Sequence, residues 1–171
     1  NNFCEANNKH LKGKKNMPSH TMELPRQIVV GEKNIDSIGS FLNSLKKTKK
    51  ISLVSGSNVK KIVQKKIEAS LIASKIKCYW YLAKTNDQKT IQDIEKKVRQ
   101  SKSELVIGIG GGRSVDIAKL IGFNLNKPFV SIPTSASHDG IASPFVSVKG
   151  DKPHSLVATA PLGVFVDVDI I

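Results

Sequence analysis

Cysteine is scarce. Two residues, Cys4 and Cys78, in a chain of 171 exclude a disulfide framework and a cysteine metal cluster, and they fit a reducing cytoplasm. No apolar run reaches the ~20 residues that span a bilayer. The Asn-rich, polar N-terminus lacks the apolar segment of a secretory signal. Aromatic residues make up 5% of the chain and do not interleave with its lysines, which argues against the stacking platforms of a single-strand nucleic-acid binder. Acidic residues number 14 against 27 Lys and Arg, for a net charge of +13. Such a balance attracts polyanions. The lysines nevertheless fall in small groups, Lys46, Lys47, Lys49 and Lys50, then Lys60, Lys61, Lys65 and Lys66. They sit at helix ends and on polar helix faces. They read as a solvated surface, and a phosphorylated ligand needs only local positive potential.

What is present is enough apolar sequence, 39%, for one substantial core. Residues 1 to 21 have no periodicity and read as a disordered or non-native N-terminal extension. Residues 22 to 171 read as one nucleotide-binding α/β domain, truncated at its C-terminal end. Strand signals at Arg26–Gly31, Ile51–Gly56, Lys77–Ala83, Glu104–Gly110 and Pro128–Pro133 alternate with apolar positions at helical spacing. The helical positions are Ile35, Ile38, Leu42 and Leu45; then Val59, Ile62, Val63 and Ile67; then Ile91, Ile94 and Val98; and finally the stretch from Ser114 to Gly122. This alternation predicts a Rossmann-like, mostly parallel sheet. After Pro133 the rhythm breaks, and "FVSVKG" and "GVFVDVDII" predict a small antiparallel addition.

Gly110, Gly111 and Gly112 fall where a buried strand ends and a helix begins. Absent Cβ atoms permit a sharp turn and close approach of a ligand to the backbone. The first-turn amides and the helix dipole favour an anion there, so a phosphate or pyrophosphate is the expected guest. The dinucleotide fingerprint fails at its third position, where Gly108 and Gly110 are followed by Arg113, and no P-loop Lys-Ser/Thr follows. Asp116 shares a helix face with Lys119. It reads either as a surface charge near the helix start or as a group reaching into the cleft.

A second polar row, Thr134, Ser135, Ser137, His138 and Asp139, follows the next strand. In open α/β sheets ligands bind beyond the carboxyl ends of strands, so both rows are expected to face one cleft. His138 offers a titrating imidazole for proton relay. The residue types alone leave a simple polar turn equally open.

The stretches "GIGGGRSVDIAK" and "VSIPTSASHDGIASPF" resemble the sn-glycerol-1-phosphate dehydrogenase family. That family lies within the superfamily of glycerol dehydrogenase, iron-containing alcohol dehydrogenase and 3-dehydroquinate synthase. "MELPRQIVVG" and "ATAPLGVFVDVDII" are similar too. The resemblance implies reduction of dihydroxyacetone phosphate with NADPH or NADH, giving sn-glycerol 1-phosphate for archaeal-type membrane lipids, in the cytoplasm. It implies that Gly110, Gly111 and Gly112 take the pyrophosphate, that Asp116 lies toward the nicotinamide, and that Thr134, Ser135 and Gly56 line the cofactor cleft. It places Asp139 near substrate and metal, with His138 as a candidate for the proton network. Sister readings are a glycerol dehydrogenase, a 3-dehydroquinate synthase-like enzyme and a non-catalytic nucleotide-binding fragment.

Members of that family are roughly twice this length. The resemblance implies a C-terminal helical domain, absent from this chain, that supplies the ligands of a divalent metal, usually zinc. No metal ligand is assigned here, and the 171 residues alone are expected to lack turnover. The full-length protein is expected to be a homo-oligomer, with no nucleic-acid partner and no integral membrane segment.

Overall fold

The computed structural model describes residues 24–135 and 160–171 in full, and residues 145–148 and 154–157 as backbone. The strands are β1 (Gln27–Gly31), β2 (Lys50–Ser55), β3 (Lys77–Leu82), β4 (Leu105–Gly110), β5 (Phe129–Pro133), β6 (Phe145–Val148), β7 (His154–Val157) and β8 (Gly163–Asp167). The helices are α1 (Ile38–Leu45), extended backwards by a 3-10 turn at Asn34–Ser37, then α2 (Ser57–Ala73), α3 (Gln88–Ser101) and α4 (Gly112–Asn124).

Six strands form one sheet in the order β1-β8-β5-β4-β2-β3, and every neighbouring pair in it is parallel. An all-parallel sheet needs cover on both faces. On one face α1 and α2 bring Ile38, Phe41, Leu42, Val63, Ile67 and Leu71 onto Ile51, Leu53, Ile107 and Ile109. On the other, α3 and α4 bring Ile91, Ile94, Val98, Val115 and Ile121 onto Val54 and Val106. Each such side chain contributes about 1.5–3 kcal/mol on leaving water. All six residues of β4 are buried, which is why this strand reads as an unbroken apolar run. Asp87 caps α3, its carboxylate accepting the Thr90 amide at 2.9 Å.

Two expectations change. The antiparallel ribbon exists, but it is built from β6 and β7, not from β6 and the last strand. β8 instead enters the main sheet parallel, between β1 and β5. Its alternation is weak because four of its five residues are buried, as expected of a strand inside a parallel sheet. Asp167, at its end, is 1% exposed. Its carboxylate accepts the amide of Ile35 at 2.7 Å and that of Asp169 at 3.0 Å. Residues 1 to 21 lie outside the described residues.

Candidate nucleotide-binding site

Parallel strands place all their carboxyl ends on one rim. The rim segments after β2 and β4 each open directly into a helix. Gly56 precedes α2 and Gly111 precedes α4, and neither helix has a side-chain cap on its first turn. The amides of a first helical turn have no intrahelical acceptor, so each helix presents donors and the positive end of its dipole. The two strands are adjacent in register, Ser55 beside Ile109. A Cβ built on Gly110 would lie 3.8 Å from Val59 of α2, so the two helix starts share one cleft.

Each glycine of the turn has its own task. Gly110 adopts φ +134°, a conformation that side-chain-bearing residues rarely take. A Cβ on Gly111 or on Gly56 would meet nothing within 4 Å. Both positions have extended backbone, with φ near −75° and −72°, so their openness is space for a ligand and not relief of strain. Gly108 was missed as a site residue. A Cβ there would stand 2.8 Å from the Cα of Val115, so this glycine lets α4 lie close against β4. In the dinucleotide fingerprint close helix–strand packing belongs to the third glycine. Here it has moved into the strand, which explains why Arg113 can occupy the third position.

A groove of about 480 Å³ runs between these helix starts and the end of β3, lined by Gly56, Ser57, Asn58, Leu82, Lys84 and Arg113 among others. Arg113 donates from Nη1 to the carbonyl oxygen of Lys84 at 2.9 Å, fixing its guanidinium beside the groove. No carboxylate is among the described lining residues. Lys84 carried no sequence signal beyond being a basic residue just after a strand.

The polar row begins where expected. β4 and β5 are neighbours, Gly110 lies beside Pro133, and the Thr134 amide donates to the Gly110 carbonyl at 3.0 Å. Thr134 and Ser135 are half-buried at this rim. His138 and Asp139 lie outside the described residues, so the structure does not place them. Asp116 is a buried residue, 5% exposed, which removes the surface-charge reading. Because α4 starts at Gly112 and not Ser114, Asp116 also lies past the first turn. Lys119 is 1% exposed. Burial holds its ammonium below the usual lysine range, partly opposed by the negative charge of Asp116. No three His, Cys, Asp or Glu side chains gather as a metal-binding group among the described residues.

These features fit a dinucleotide: open glycines at two uncapped helix starts, a groove with a fixed cation, and hydroxyls on the next strand. The described residues bring together no donor set for a divalent metal.

Comparison with known proteins follows the same line. Relatives named glycerol-1-phosphate dehydrogenase [NAD(P)+] include one from Nitrosopumilus maritimus, 63% identical over 160 residues, and one from Cenarchaeum symbiosum, 57% identical over 159 residues. The matches cover 94% and 93% of this chain and 45% of each relative, so the chain spans about half the length of the curated relatives it matches. The crystal structure of glycerol dehydrogenase from Schizosaccharomyces pombe shares the fold, with a TM-score of 0.78 at 23% identity over 90% of this chain and 40% of that one. The family model described as iron-containing alcohol dehydrogenase matches residues 29–171, and the chain belongs to that family.

Proposed function

We propose that this chain is the dinucleotide-binding part of a glycerol-1-phosphate dehydrogenase, which uses NADPH or NADH to reduce dihydroxyacetone phosphate to sn-glycerol 1-phosphate. The observation that carries this reading is the 63% identity to the Nitrosopumilus maritimus protein of that name. The glycine turn supports it, because that is where such an enzyme has to hold a pyrophosphate.

When bound, the nicotinamide supplies the hydride. The chain's own residues bind and orient. First-turn amides of α4 receive the pyrophosphate, which Gly111 admits because nothing occupies its Cβ direction. Arg113 and Lys84 place positive charge along the adenosine side, where the described lining residues include no carboxylate to turn away a 2′-phosphate. Thr134 and Ser135 add hydroxyls from β5. Asp116 and Lys119 stiffen the α4 wall. Asp139 contacts substrate and His138 relays the proton in this reading. No helix among the described residues is long and apolar enough to cross a membrane; a cytoplasmic homo-oligomer is the form proposed.

The test is a coupled comparison. Calorimetry of the chain with NADPH and NADH is expected to show binding of both. A protein of the relatives' full length is expected to oxidise NAD(P)H with dihydroxyacetone phosphate and release sn-glycerol 1-phosphate. Equal efficiency with unphosphorylated dihydroxyacetone would overturn the substrate assignment in favour of a glycerol dehydrogenase.

A further inference from the structure

The chain's positive charge is not spread evenly. Because all six strands of the main sheet are parallel, the segments that lead into them lie on one rim, opposite the nucleotide cleft. The segment entering β2 carries Lys46, Lys47 and Lys49, and β2 itself begins at Lys50. The entry to β3 carries Lys75 and begins at Lys77, the entries to β4 and β5 carry Lys102 and Lys127, and Arg26 precedes β1. Glu104 is the one carboxylate in these described segments. On the cleft side the described segments that leave the strands carry Lys33 and Lys84, with Arg113 at the start of α4, against Glu32, Asp87 and Asp169. The cationic pole is therefore the one that a phosphorylated substrate or cofactor does not visit.

Helix dipoles do not account for it. Four helices end on this rim, and each C-terminus is worth about half a negative charge. That is about two charges in all, and with Glu104 it leaves most of the cations unbalanced. The ion pair of Arg99 with Glu95 involves none of them. Lys75 and Lys102 also hold left-handed backbone, φ 58° and 54°, at helix ends where glycine is the easier residue. Three large apolar side chains stand exposed at the same rim: Leu24 just before β1, Ile72 near the end of α2 and Phe123 near the end of α4, at 73%, 74% and 50% exposure.

We infer that this rim docks the protein on an anionic lipid surface. Clustered lysines are drawn to acidic headgroups, and exposed apolar side chains beside them enter the headgroup boundary. A nucleic-acid partner would draw on the same charge but would use aromatic side chains to stack bases. Phe123 is the one exposed aromatic there, and Leu24 and Ile72 have no stacking role. Lipid docking of this rim does not depend on the dehydrogenase assignment.

The experiment is co-sedimentation of the 171-residue chain with phosphatidylcholine vesicles, alone or containing about 30% phosphatidylserine. Single-stranded RNA is run as a competitor. The comparison uses Lys46→Glu/Lys49→Glu/Lys75→Glu against a matched charge change on the helices, Lys61→Glu/Lys66→Glu/Lys96→Glu. Circular dichroism melts confirm that both fold. The expected result is at least about tenfold tighter binding to acidic vesicles, lost in high salt. The rim triple abolishes it, and the helix triple keeps most of it. Ile72→Ser/Phe123→Ser is expected to weaken binding in low salt without removing its salt dependence. Absence of vesicle binding, equal loss in both triples, or displacement from vesicles by RNA at lower concentration than lipid would overturn the inference, the last in favour of a nucleic-acid surface.

Discussion

The Thr134 amide donates to the Gly110 carbonyl at 3.0 Å, so the glycine turn and the polar row are joined by backbone. Gly110, the residue with φ +134°, thus passes its carbonyl to the next strand while its turn faces the cleft. Any shift of the glycine turn carries the start of the polar row with it.

Two glycines in this region separate binding from stability. Gly111→Val has open space for its side chain and loses only a good helix N-cap, at about 1 kcal/mol. It is expected to keep the fold and to lose NADPH and NADH binding by calorimetry. Gly108→Ala drives a methyl to 2.8 Å from the Val115 backbone and is expected to cost about 1–3 kcal/mol in urea unfolding. If Gly111→Val binds as well as the parent chain, the pyrophosphate lies elsewhere.

Arg113 is expected to distinguish the two cofactors. Its guanidinium is held by the Lys84 carbonyl in a groove whose described lining residues include no carboxylate. Arg113→Ala is expected to weaken NADPH by about tenfold, a 1.4 kcal/mol change, and NADH by less. Equal losses would mean that Arg113 serves the pyrophosphate and not the 2′-phosphate.

Lys119 is expected to make stability depend on alkaline pH. Burial holds its folded-state pKa below that of the unfolded chain. Between the two values the unfolded chain binds more protons, so this group adds stability as pH rises through that interval. Urea midpoints measured from neutral pH upward are expected to rise relative to those of Lys119→Met. Parallel pH curves for the two proteins would remove Lys119 as the source.

Asp167 ties the sheet to the turn before α1. Asp167→Ala leaves the buried Ile35 amide without its acceptor and is expected to cost about 1–3 kcal/mol by chemical unfolding. Asp167→Asn keeps an oxygen at the same place and is expected to recover part of the loss. An unchanged midpoint for the alanine variant would show that the Ile35 amide finds another acceptor.

The sequence made the sheet legible wherever burial wrote a period. Ile91, Ile94 and Val98 mark α3, and the apolar run of β4 marks a strand covered on both faces. The glycine turn was legible because three residues without Cβ, set between a strand and a helix, open the backbone to a sharp bend and to a ligand at once. β8 was harder: a short buried strand gives the same pattern whether its neighbour runs parallel or antiparallel, and pairing with β1 is a matter of topology. Gly108 was hidden for a related reason, since the close contact it allows is with Val115, and only the packing of α4 reveals it. Asp116 is charged, and charge favours a surface reading until a buried lysine one turn away supplies the compensation.

The position of β8 also orders events during synthesis. β1 has one strand neighbour, β8, and the Ile35 amide waits for a carboxylate 132 residues later. β1 therefore leaves the ribosome long before the strand it pairs with. Until residue 163 emerges, β1 has no ladder to join, and the exposed side chains of Ile28 and Val30 stand beside an open strand edge, the kind of surface that misassembles. Pairings this distant along the chain also slow folding. The sheet grows from its β2–β3 side toward β8, and the β1 edge is the last part to be secured.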